Sequence, residues 1–114
     1  MQERTVPDYA AVRHVLGAPL IASKTAPYVG EDDFDFDGLE RELETMSGGG
    51  KLLVRIARDL WTAECVVGIT DVVHRLDNTN FIRVVEALRI ARGSFTWDLV
   101  DAVVSGRLDE ELAA

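Results

Sequence analysis

Cysteine is nearly absent from this sequence: Cys65 stands alone. No intramolecular disulfide can staple the chain, so the fold has to rest on a packed core. Cys65 follows an apolar helical run, where a small buried thiol is the expected reading. Histidine is also scarce, with only His14 and His74. Neither has a flanking nucleophile or metal-ligand spacing, so no catalytic constellation is visible and a non-enzymatic protein is expected. Long apolar runs are missing as well. No window approaches the ~20 apolar residues that span a bilayer, and the N-terminus MQERTVPDY is too polar for a secretory signal. A cytoplasmic protein without a membrane partner is the simplest expectation. Basic charge is in deficit: 12 Lys and Arg against 20 Asp and Glu leave a net charge of −8, which disfavours generic attraction to nucleic acid or anionic membranes. Strand signals are weak throughout, the best being Cys65 to Val67, and there is no internal repeat.

What is present is enough for one domain. A chain of 114 residues, 47% of them hydrophobic, supports a single core over residues 1–114. Its charge is uneven. Residues 1–50 hold four basic and ten acidic residues, 51–92 hold seven and five, and 93–114 hold one and five. A mildly basic centre is therefore flanked by acidic ends.

Helical spacing dominates. PDYAAVRHVL at 7–16 predicts a short helix with Pro7 in its first turn, Gly17 as its stop, and Tyr9, Val12 and Leu16 on one face. Residues 17–36 contain two prolines and two glycines and lack a helical period, which predicts an irregular acidic arm wrapped over the surface through Leu20, Ile21, Tyr28 and Val29. A helix over 38–46 follows, with Asp37 as N-cap, Glu40 completing a capping box, and Leu39, Leu43 and Met46 in one stripe. SGGG at 47–50 ends it. Leu53, Ile56, Ala57, Leu60 and Trp61 then share one face of a helix over 51–64. In GITDVVHRL the stripe is Ile69, Val72, Val73 and Leu76, with Thr70 as cap. In NFIRVVEALRIARG it is Phe81, Val84, Val85 and Leu88, stopped by Gly93. Leu99, Val100, Val103 and Val104 predict a last helix over 96–105. GGGK at 48–51 lacks the earlier glycine and the Ser or Thr of a phosphate loop, so a hinge or helix start is the simpler reading. Trp61 and Trp97 fall on helical stripes, as core residues do.

The most specific string is DDFDFDG at 32–38. From Asp33 it reads D-x-D-x-D-G-x-x-x-x-x-E and resembles an EF-hand loop, which implies calcium held by Asp33, Asp35, Asp37 and Glu44 around the turn at Gly38. Two features depart from that family: its aliphatic eighth position is Glu40, and TAPYVGED replaces the entering helix. The same letters suit a metal-free arm. Carboxylates gather at a helix N-terminus because of its free amide donors and positive partial charge, and Phe34 and Phe36, alternating with the aspartates, would anchor the arm to the core.

Residues 51–93 resemble the tri-helical core of helix-turn-helix DNA-binding domains. GITDVVHRL takes the place of the positioning helix, DNTN the turn and FIRVVEALRIARG the recognition helix. The resemblance implies base reading by Thr79, Asn80 and Arg83, with Arg89 and Arg92 nearer phosphates. Asp77 and Asn78 stand where the family has a turn glycine, and Glu86 would face the DNA.

The expected fold is all-α: a small single-domain bundle of four to five helices, with a tri-helical core over 51–93 and an irregular N-terminal arm. The expected function is a macromolecular interaction or regulatory module. Its acidic arm, through Asp32, Asp33, Asp35 and Asp37, would meet a protein partner with a basic surface, or the chain would self-associate. A helix-turn-helix DNA-binding regulator and a calcium-binding protein are the alternatives.

Overall fold

The least amphipathic of the three long helices lies at the centre. In the computed structural model, which describes residues 6–93, α1 (Val6–Leu16) packs against both α4 (Gly48–Thr62) and α6 (Asn78–Arg92), and these two helices meet each other far less. Around α1, Tyr9, Ala10, Ala11, Val12, His14, Val15 and Leu16 are all buried. A helix whose buried residues lie on most of its circumference belongs inside a fold, with Asp8 and Arg13 left half-buried at its edge, and two adjacent alanines let neighbouring backbones come close. The described residues are all-α, with no strand and a single isolated bridge, Val29 to Phe34. They contain six helices rather than four or five, the others being α2 (Ala22–Thr25), α3 (Phe36–Glu42) and α5 (Ile69–Arg75). Short 3-10 turns extend α2 over Ala26–Tyr28 and α3 over Leu43–Thr45. The helix expected over 96–105, and Trp97 with it, lie outside the described residues.

Local chemistry sets most of the helix ends. Ser47 caps α4 by accepting from the Gly50 amide at 3.2 Å, so the glycines expected to end the preceding helix form the first turn of α4, while Met46 closes the 3-10 turn before it. Asp77 caps α6 through the Asn80 amide at 2.8 Å, and Gly93, at φ 83°, stops it in a left-handed turn. Gly50 has a packing role too. A Cβ there would sit 2.9 Å from Ile21 Cγ2 and 3.3 Å from Met46 Cβ, so the N-terminus of α4 presses directly on the residue that opens α2 and the one that closes the 3-10 turn after α3.

Four expectations about packing are corrected. Residues 17–36 are folded, not irregular: Ala18, Ile21, Thr25, Phe34 and Phe36 are buried, and the Thr25 hydroxyl donates to the Leu16 carbonyl at 2.6 Å, tying α2 to the end of α1. The core is α1 with α4 and α6, not the three successive helices of 51–93. Helix α5 starts from Gly68 without a side-chain cap, Thr70 being exposed, and carries Ile69 and Val73 out to solvent at 80% and 54% exposure. Finally, α6 turns a different face inward from the expected one. Asn80, Val84, Ala87 and Ile90 are buried, while Val85 and Leu88 are exposed. Cys65 is likewise exposed, in a loop where Asp59 accepts from the Val66 and Val67 amides at 3.0 and 2.7 Å.

Candidate interaction surfaces

Residues 28–37 form a clasp whose two sides differ chemically. Its tip is closed by the Gly30 amide donating to the Asp33 carbonyl at 2.8 Å and the Asp35 amide donating to the Tyr28 carbonyl at 2.9 Å. This extended geometry sends alternate residues to opposite sides. Phe34 and Phe36 are buried, whereas Glu31, Asp32, Asp33, Asp35 and Asp37 are exposed. The Phe34 ring is the anchor. It stacks on Tyr9 at a centroid distance of 5.0 Å, meets Trp61 edge-on at 5.0 Å, and lies 5.9 Å from Phe36. The Tyr9 hydroxyl also donates to the Gly30 carbonyl, so α1 holds the clasp at both its turn and its aromatic root.

The acidic side chains have separate duties. Asp35, not Asp37, is the N-cap of α3: its Oδ1 accepts from the Gly38 amide at 2.9 Å, and Asp37 lies two residues further on, within the first turn. Asp33 Oδ1 accepts from the Phe34 amide at 2.8 Å. Glu44 is exposed on the 3-10 turn after α3. The structure therefore places Asp33, Asp35, Asp37 and Glu44 in four different roles and surroundings, and no group of three or more His, Cys, Asp or Glu among the described residues is arranged to hold a metal ion. Gly38 has a reason to be glycine that involves no metal. A Cβ there would lie 2.5 Å from both Asp35 Oδ2 and Tyr28 Cε1, so the tyrosine ring packs against the bare helix backbone.

Tyr28 lines an open cleft of about 480 Å³ with Pro27, Val29, Gly30, Asp33, Phe34 and Asp35. Its hydroxyl donates to Glu42 Oε1 at 2.9 Å, linking the clasp to the last turn of α3. That hydrogen bond, together with loss of solvent and the nearby Glu42 charge, raises the phenol above its ordinary value of 10.0. The protonated phenol is the form that donates, so its contribution to stability is present below pH 10 and is lost as pH rises through the raised folded value. Tyrosinate absorbance should show one phenol titrating above the ordinary value, and Tyr28→Phe should remove it. Equal titration of wild type and Y28F in the folded state would contradict this.

The residues expected to read DNA are divided by the fold. Thr79 and Arg89 are exposed on α6, but Asn80 is only 5% exposed. Arg83 Nε donates to the His14 carbonyl at 2.7 Å, binding one of the last carbonyls of α1. Beside it, His14 Nε2 lies 3.1 Å from Glu86 Oε1, a buried histidine facing a partly buried carboxylate 72 positions away. Glu86 thus faces α1. His74 is exposed on α5. Sequence reasoning missed the His14, Arg83 and Glu86 cluster, and no local spacing marks it. The two-sided character of α6 had a visible signal in the adjacent apolar pairs Val84–Val85 and Ala87–Leu88.

No helix among the described residues is long and apolar enough to cross a membrane. No family model, curated protein or solved structure matches the chain.

Proposed function

We propose that the protein is a non-enzymatic interaction module whose acidic clasp docks against a basic protein surface. The observation that carries this reading is the alternation in the clasp: Phe34 and Phe36 are buried while Glu31, Asp32, Asp33 and Asp37 are exposed. Aromatic anchoring holds the carboxylates on a defined turn, so less conformational entropy is lost on binding than from a free acidic tail. Complementary charge speeds encounter and rejects acidic partners. The cleft beside Tyr28, with Asp33 and Asp35 at its wall, has the chemistry for a lysine or arginine side chain of the partner.

Pull-down from the native host at stepped salt concentrations tests the proposal. Salt-sensitive recovery of a basic protein is expected, with roughly tenfold or greater loss on combining Glu31→Gln, Asp32→Asn and Asp37→Asn, none of which caps a helix or enters the core. Recovery of only a non-interacting monomer at every salt concentration, or a partner indifferent to the triple variant, would overturn it.

A further inference from the structure

Helix α5 cannot stand by itself. Isolated helices shorter than about 12–15 residues are marginal in water, and α5 has 7 residues, no side-chain cap and no buried residue. Of its apolar stripe, Ile69 and Val73 stand in solvent, while Val72 and Leu76 rest on the core together with Val67 of the preceding loop. The ion pairs Asp71–Arg75, within the helix, and Arg58–Glu64, before it, are open to solvent and contribute little. What fixes the segment is a side chain of α4. Asp59 Oδ1 accepts from the Val66 amide at 3.0 Å, and its Oδ2 accepts from the Val67 amide at 2.7 Å.

The loop so held is bent against its preference. Ala63 and Cys65 both sit at φ 60°, in the left-handed region that residues other than glycine rarely enter. Ala63 closes α4 there, its amide donating to the Asp59 carbonyl at 2.8 Å. Cys65 has no such helix-ending role, and the two Asp59 bonds follow it directly. Strained positions of this kind persist while surrounding contacts hold them and relax when those contacts break. At the far end Leu76 is extended, and Asp77 caps α6 through the buried Asn80. Both ends of the segment are therefore fixed to long core helices, while its middle is held by one carboxylate and three half-buried aliphatic side chains. We propose that residues 63–76 form a strap, latched by Asp59, that lifts off the core while α1, α4 and α6 stay folded. Closed, the strap covers part of the apolar core with Val67, Val72 and Leu76; open, it bares them together with the surface beneath. The latch thus sets how much apolar surface the chain presents between the end of α4 and the start of α6. Neither the strap nor its latch includes a residue of the clasp.

Native-state hydrogen exchange of the full chain, followed residue by residue at urea concentrations below the unfolding transition, tests the strap. Lifting a short segment exposes little surface and responds weakly to urea, whereas global unfolding responds strongly. The amides of Val66, Val67, Val73, His74 and Arg75 are expected to exchange at a rate nearly independent of urea, and roughly a hundredfold or more faster than the amides of Leu53 to Ala57 in α4. Asp59→Ala, which removes both latch bonds, should speed strap exchange by about tenfold or more, and Asp59→Asn, which keeps one acceptor oxygen, should speed it less. Glu31→Gln in the clasp should leave it unchanged. Strap exchange that rises with urea in step with that of α1 would overturn the proposal, because the segment would then open only with the whole fold. So would exchange unaltered by either Asp59 variant, or α5 amides exchanging as fast as those of an unstructured peptide, which leaves no closed form to latch.

Discussion

Phe34→Ala is expected to destabilise the protein by about 3–5 kcal/mol, the usual range for truncating a buried phenylalanine. Phe34 is 8% exposed and touches three aromatic rings that come from α1, α3 and α4. Removing it leaves a cavity where three elements meet and loses both a stacked and an edge-on pair, each of which contributes beyond its buried area. In a domain of this size each kcal/mol lowers Tm by roughly 4–8 °C, so a thermal melt should show a fall of about 12 °C or more. The clasp should also come loose. Glu31, Asp32 and Asp33 lie on the turn that Phe34 secures, and binding to a basic partner should weaken even at temperatures where the helices remain folded. A melt within 2–3 °C of wild type, roughly half a kcal/mol on that scale, would show that the acidic turn does not depend on its aromatic root.

The second large effect separates the two apolar sides of α6. Ile90→Ala should cost about 2–5 kcal/mol, because Ile90 is fully buried and its lost methylenes leave a cavity. Leu88→Ala, two positions away at 48% exposure, should change stability by less than about 0.5 kcal/mol. Urea denaturation of the two variants, with m-values equal to wild type, measures the contrast. The stripe of Phe81, Val84, Val85 and Leu88 read from spacing predicts the reverse order, so a greater loss from Leu88→Ala would reject the packing described for α6.

Most helices were legible because their causes are local: Gly93 takes a left-handed φ, and Leu39, Leu43 and Met46 fall on one line. The caps Ser47 and Asp77 are equally local, hydrogen-bonding amides three residues ahead, but they lie in stretches whose glycines and turn residues read as a helix end and a turn. The alternation of aspartate with phenylalanine was legible for the same reason, since extended backbone sends neighbours to opposite sides. Reading the cap as Asp37 instead of Asp35 was a two-residue error of the kind that a run of candidate caps invites. The order inside residues 17–36 was hidden because it depends on distant groups: the Leu16 carbonyl receives the Thr25 hydroxyl, and Tyr9 and Trp61 receive the Phe34 ring.

An all-α chain, one acidic turn and the apolar residues of each helix therefore follow from short-range spacing, which any segment carries with it. The tertiary structure decided which apolar side faces inward. α1 is buried over most of its circumference and α6 is apolar on two sides, and periodicity cannot choose between sides that are similarly apolar. The choice is made by which neighbour fits: Ala10 and Ala11 of α1 allow close approach, and His14 meets Glu86 from a helix 72 residues away. Such contacts exist only once the helices have come together, which is why the centre of the core and the face left open on α6 could be read only from the folded chain.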